Sequence, residues 1–204
     1  RLLAADGRIG TLVTASSMPV RDVEWFGRSS PHFPVVHANR GANGIDGVAS
    51  TAIGVAKAAI NRGHVAALLG DLAFLHDLTA LVRPAGHVGS GTGAPMFLVV
   101  VDNKGGGIFS FLPQASSLSE ERYEQLLGTP QAVEVASVAR GAGCQVVEAR
   151  TKKELLLGLE NVLESSGDGE MAVLVCHTSR GRNLEVHAEL DDAVTKAVAA
   201  AGSR

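Results

Sequence analysis

The feature that most limits the fold is an alternation between two kinds of segment. Short runs at 9–14, 34–38, 64–69, 96–101, 144–148 and 171–177 are rich in β-branched and other apolar residues, and most are continuously apolar. A strand with one wet face alternates apolar with polar residues, whereas a strand covered on both faces does not. Between the runs lie stretches of helical spacing, expected as helices over 19–26, 46–62, 73–82, 119–127, 132–140, 151–164 and 190–201. In the second of these, Val48, Ala52, Val55, Ala56 and Ala59 share one face, and Asp46 suits a helix N-terminus. Thr151 followed by Glu154 has capping-box spacing. The pattern predicts an α/β fold, a doubly wound six-stranded parallel sheet with helices on both faces and right-handed crossovers. One domain accounts for the 204 residues.

Composition narrows the function classes. With 46% hydrophobic and 19% charged residues, the chain can bury a core and is not a disordered segment. A net charge of -3, one Trp and one Tyr argue against nucleic-acid binding through a basic face or stacked aromatics. Two cysteines, Cys144 and Cys176, make no disulfide framework, and no His/Cys spacing suggests zinc. No apolar run reaches the length of a membrane span, and the first residues lack the order of a signal peptide, so a cytoplasmic location is expected. The chain starts at Arg1 rather than Met, which suggests a piece of something longer. The glycine-rich stretch 86–93 reads as a surface loop.

In such sheets ligands gather where strand carboxyl ends meet helix N-termini. Gly70-Asp71-Leu72 follows the third strand, and Asp102-Asn103-Lys104-Gly105-Gly106-Gly107-Ile108-Phe109 follows the fourth. An Asp carboxylate, an Asn oxygen and a backbone carbonyl are the hard ligands Mg²⁺ takes, and glycines let a backbone approach an anion. Singly, these glycines also suit tight turns, and Asp71 and Asn103 suit helix caps. Together they suit a metal and a diphosphate. There is no G-x-x-x-x-G-K-[ST], no G-x-G-x-x-G after the first strand and no G-x-S-x-G. Ser16 and Ser17 have no assigned histidine, and His177 reads as a packed or surface residue.

Gly70-Asp71 followed some thirty residues on by Asn103 resembles the GDG…NN motif of the thiamine-diphosphate-dependent superfamily. Leu72 stands for its second glycine and Asp102 for its first asparagine. The strings GDLAFLHDLTAL, VVVDNKGGGIFSFLPQ and NRGANGIDG resemble one subfamily, the 2-succinyl-5-enolpyruvyl-6-hydroxy-3-cyclohexene-1-carboxylate synthases of menaquinone biosynthesis, over the C-terminal third of those enzymes. The resemblance implies thiamine diphosphate and Mg²⁺ as cofactors. It implies Asp71, Asn103 and the Gly105 carbonyl as metal ligands, with Gly70, Leu72, Gly106, Gly107 and Ile108 at the diphosphate. Ile45 would prop the cofactor into its bent shape, where otherwise it would be a core residue at a helix entry, and Asn43 would lie at the aminopyrimidine end.

The implied substrates are 2-oxoglutarate, which is decarboxylated, and isochorismate, the acceptor of a 1,4-addition. Both are dicarboxylates, which suits Arg21 and Arg40 at the same sheet edge, with Ser17 adding a hydroxyl and Ile108 and Phe109 an apolar wall. The activating glutamate of the superfamily lies on the N-terminal domain of a second subunit. This chain is therefore expected to carry no such residue, to be inactive alone, and to belong to a homodimer or homotetramer when full length. Other thiamine-diphosphate enzymes, acetolactate-synthase-like or 2-oxo-acid decarboxylases, and a non-enzymatic assembly module are the competing readings.

Overall fold

The computed structural model describes residues 3, 6–59, 62–82, 93–165 and 171–202. Six strands form one sheet: β1 (Ile9–Thr14), β2 (Val35–Ala38), β3 (His64–Gly70), β4 (Met96–Asp102), β5 (Gln145–Ala149) and β6 (Ala172–His177). They run in the order β2-β1-β3-β4-β6-β5, and every pairing is parallel. Helices α1 (Met18–Phe26), α2 (Val48–Ala58), α3 (Asp71–His76), α4 (Gln114–Ser117), α5 (Glu120–Tyr123), α6 (Val135–Gly141), α7 (Lys152–Ser165) and α8 (Arg180–Gly202) occupy the connections. Short 3₁₀ segments cover Leu78–Leu81 and Gly107–Phe111, and a π turn covers Glu124–Gly128.

The strand side chains divide between two cores, as a twofold alternation requires. Val65, Ala67, Leu69, Leu98 and Val100 pack with Val48, Ala52, Phe74 and Val135 on one face. On the other, Ala66, Phe97, Val99 and Leu174 pack with Leu159, Val162 and Leu163 of α7. The strand expectations hold to within a residue at each end. One property does not: β2 is an exposed edge strand, with Val35 46% and Val36 38% accessible, because the sheet has no further strand beside it.

Other departures are local. Asp46 does not cap α2; Gly47 takes that place with φ of 69°, and the Asp46 carboxylate folds back over Gly44. The reciprocal bonds of Thr151 and Glu154 do form, each 3.2 Å. The expected helix 119–127 breaks into α5 and the π turn, and the last helix starts ten residues earlier than its apolar spacing suggests. Its entry is made by Ser179, whose hydroxyl accepts from the Arg182 N–H and whose carbonyl accepts from the Asn183 N–H. The mixed charges of that first turn conceal its periodicity. The loop expected over 86–93 lies outside the described residues except for Gly93.

The direction in which successive strands are added to the sheet reverses between β1 and β3: from β1 the chain continues to the β2 edge, and from β3 it continues to β4. That reversal opens a crevice at the carboxyl ends of the strands, where a parallel sheet accepts ligands.

Candidate functional site

A cleft of about 980 Å³ occupies this crevice. It is lined by Ser17 and Arg21 after β1, Arg40, Asn43 and Ile45 after β2, Gly70, Asp71 and Leu72 after β3, and Asn103, Gly105, Gly106, Gly107, Ile108 and Phe109 after β4. The residues that the resemblance implies at the cofactor, metal and substrates therefore line one cavity.

Its floor lies between β3 and β4, which are neighbours in the sheet. Asp71 is only 5% exposed. Its Oδ1 accepts from the Leu72 N–H and its Oδ2 from the Gly105 N–H, both at 2.8 Å, so the carboxylate ties the two loops together. Burial pushes its pKa upward, the Gly105 and Leu72 N–H groups pull it back, and nearby Asp102 adds to the rise. A desolvated carboxylate of this kind gains from a cation. Beside it the Asn103 Oδ1 is buried and has no hydrogen-bond partner. An orphaned acceptor next to a desolvated carboxylate is a donor set suited to a hard divalent ion. Among the described residues no cluster of three or more His, Cys, Asp or Glu offers an alternative metal site.

The glycines also answer a packing requirement within the chain. Gly105 has φ of 130°, and a Cβ there would stand 2.0 Å from the Gly128 carbonyl oxygen. At Gly106 it would meet the Leu127 oxygen at 2.3 Å, and at Gly107 the Asn103 amide at 2.6 Å. The Gly106 N–H donates to the Gly128 carbonyl and the Gly107 N–H to the Gly105 carbonyl. Gly105 and Gly106 admit the π turn, Gly107 admits the Asn103 side chain, and the amides of all three are used within the protein. Gly70, by contrast, leaves open space: beyond its chain neighbours a Cβ there would meet nothing within 4 Å.

The β1 and β2 side is more open. Ser17 has φ of 73° and ψ of -140°, a strained conformation for a residue with a side chain, and Arg21 Nη1 donates to its carbonyl at 2.7 Å. Arg40 and Asn43 are exposed. Ile45 is 39% exposed rather than a core residue at the α2 entry.

Sequence reading missed several cleft residues. His177 joins the wall, its Nδ1 3.2 Å from Asp102 and its Nε2 2.9 Å from Glu148. Asp102 is 1% exposed and is also paired with Lys104 at 3.1 Å, beside a Lys104 backbone held at φ of 60°. The parallel register that sets Asp102 beside His177 was the signal, and it needs the sheet order. Asp22, Arg182, Asn183 and Val186 also line the cleft, the last three because α8 begins earlier than expected.

A buried metal-type donor set at the switch point of a doubly wound sheet defines the class. The description "Thiamine pyrophosphate enzyme, C-terminal TPP binding domain" matches residues 34–176, and the chain belongs to that family. Its relatives are more particular. The chain is 38% identical over 180 residues to 2-succinyl-5-enolpyruvyl-6-hydroxy-3-cyclohexene-1-carboxylate synthase of Myxococcus xanthus, covering 88% of this chain and 28% of that protein. Against the protein of that name from Geobacillus thermodenitrificans it is 38% identical over 189 residues, covering 93% and 30%. Among solved structures it resembles benzoylformate decarboxylase from Polynucleobacter necessarius, with TM-score 0.61 and 18% identity over 84% of this chain and 30% of that one, a likeness of fold. The chain thus spans about three tenths of the length of these relatives. No helix among the described residues is long and apolar enough to cross a membrane.

Proposed function

We propose that this chain supplies the diphosphate- and magnesium-binding half of the active site of a menaquinone-pathway synthase, which decarboxylates 2-oxoglutarate and joins the remaining fragment to isochorismate by 1,4-addition. The observation that carries the reading is the tie between buried Asp71 and the Gly105 N–H beside the unpartnered Asn103 Oδ1, in the cleft that also holds Arg21 and Arg40. Asp71, the Asn103 side chain and the Gly105 carbonyl would hold Mg²⁺. Gly70, Leu72, Gly106, Gly107 and Ile108 would line the diphosphate. Because the amides of Gly105, Gly106 and Gly107 are already spent on protein acceptors, a bound metal would carry more of the diphosphate contact than those N–H groups.

Thiamine diphosphate, when bound, supplies the electron sink that decarboxylation of a 2-oxo acid requires. The chain's own residues do the rest. Ile45 presents an apolar prop and Asn43 a polar contact for the far end of the cofactor. Arg21 and Arg40 grip carboxylates, with Ser17 beside them, and Ile108 and Phe109 form the dry wall that keeps water from the reacting carbon. The group that activates the cofactor belongs to an N-terminal domain of a second subunit, in a homodimer or homotetramer.

The test is an assay of the full-length protein with thiamine diphosphate, Mg²⁺ and a panel of 2-oxo acids, with and without isochorismate, beside the 204-residue chain alone. Release of CO₂ from 2-oxoglutarate with formation of the adduct is expected from the full-length protein, and background from the chain alone. A preference for pyruvate or an aromatic 2-oxo acid would assign it to another reaction of the superfamily. Turnover by the chain alone would overturn the half-site reading.

A further inference from the structure

Opposite the metal loops, the cleft wall contains a titratable pair to which the reading above gives no task. Asp22 of α1 lines the cleft, with its side chain 38% exposed, while His187 of α8 lies behind it, 7% exposed. His187 Nε2 is 3.1 Å from Asp22 Oδ1, and its Nδ1 is 2.9 Å from the carbonyl oxygen of Asn183. A carbonyl can only accept, so Nδ1 carries a hydrogen. A ring nitrogen and a carboxylate oxygen at 3.1 Å are hydrogen-bonded only if a proton lies between them. The pair therefore holds one proton beyond the Nδ1 hydrogen, on either Nε2 or Oδ1.

We propose that Asp22 and His187 are the proton-transfer pair of this cleft, with Asp22 the group that meets the substrate. The surroundings favour keeping that proton in place. Three rings stand edge-on around His187: Trp25 at 6.2 Å, Phe26 at 5.5 Å and Phe111 at 5.1 Å between centroids. With these contacts His187 is 7% exposed, and among the described residues the side-chain partner of its Nε2 is Asp22, which lines the cleft. Burial pushes the Asp22 carboxyl upward while His187 draws it down, so its proton is held less weakly than an open aspartate's. The charged neighbours on both helices have other partners: Arg21 is bound to the Ser17 carbonyl, and Arg182 to Glu185 and Glu189.

The inference rests on the carboligase reading for the identity of the proton acceptor. In a 1,4-addition the new C–C bond forms at the β-carbon of the unsaturated acid, and the displaced π pair moves to the α-carbon. That pair forms a C–H bond with the proton delivered by Asp22. The couple is left as a carboxylate and an Nδ1–H imidazole, and it regains one proton from water on the open side of Asp22. His187 is the positioning and proton-holding partner, and Asp22 the catalytic residue.

The closing experiment uses the full-length protein and follows CO₂ release from 2-oxoglutarate and adduct formation with isochorismate separately. In Asp22→Asn, adduct formation is expected to fall about 100-fold or more, and by at least about tenfold more than CO₂ release does. Asp22→Glu should recover part of the adduct rate, since it restores the acid. In Asp22→Asn/His187→Gln the rate should fall no further than in the worse single variant, because both changes remove the same proton. An Asp22→Asn protein that forms adduct within about threefold of the wild-type rate, or that loses CO₂ release in equal measure, overturns the pair's role. A wild type that releases CO₂ yet forms no adduct overturns the carboligase reading instead, and this inference falls with it.

Discussion

On the β3 and β4 side of the cleft the polar groups are buried and already joined. Asp71 bridges from its own helix to the Gly105 amide, and the glycine loop is clamped by the Leu127 and Gly128 carbonyls. On the β1 and β2 side Arg40, Asn43 and Ile45 stand exposed, and the Arg21 guanidinium satisfies one N–H on its own helix entry. The first wall is complete within one chain, while the second presents apolar and cationic groups with little to hold them. Polar ligands are costly to desolvate, so the wall proposed for a metal needs them preorganised, whereas groups proposed to meet a substrate or a second domain can remain open until it arrives.

That contrast can be broken most directly at Asp71. Asp71→Ala should abolish Mg²⁺-dependent binding of thiamine diphosphate to the full-length protein in calorimetry. It should also lower stability by about 1–3 kcal/mol in denaturant titration, since the Gly105 N–H is left buried without an acceptor. Retained affinity would place the metal elsewhere. Next comes Gly105→Ala, which meets both an unfavourable φ and the Gly128 oxygen at 2.0 Å; a loss of at least about 1–3 kcal/mol is expected by the same titration.

Arg40→Ala should show the opposite behaviour. Stability should stay within about 0.5 kcal/mol of wild type, as for a surface change. The KM for one of the two acids should rise about 10- to 100-fold, the worth of a charge-assisted carboxylate contact. If stability fell while KM held, the two walls would not differ as described. Ile45→Ala should be smaller again, with an unchanged melting temperature and thiamine-diphosphate affinity about tenfold weaker, the scale of one buried aliphatic side chain.

The smallest effect is on pH dependence behind the wall. Arg140 and His177 hold the Glu148 carboxyl below its usual range. A depressed folded-state pKa gives stability that is present above the ordinary glutamate value and is lost as pH falls through the lowered one. Glu148→Gln should therefore lower the melting temperature slightly near neutrality and flatten its decline in acid, as scanning calorimetry across pH would show.

Much of this arrangement was legible in the chain. A continuously apolar run such as 96–101 can only be buried on both faces, so six parallel strands and the loops at their ends followed from pattern. Asp71 and Asn103 were legible as candidates because an Asp and an Asn one helix and one strand apart, each in a glycine-bearing loop after a strand, fall at the same sheet edge. The start of α8 was not, because Arg180, Arg182 and Glu185 mask its apolar side, and with it went Arg182, Asn183 and His187. Asp102 and His177 were also hidden. Their pairing depends on β6 lying beside β4 although β5 intervenes in sequence.

The sequence by itself determined the α/β class, the strand positions and which loops meet at the cleft, because hydrophobic periodicity and residue type are local properties. Only the tertiary structure decided what those residues touch. It showed that Gly105 and Gly106 make room for a π turn, that Ile45 is open rather than core, and that Asp22 meets a histidine 165 residues away. Such contacts are set by strand order and helix docking, which depend on the packing of the whole sheet and on no single segment.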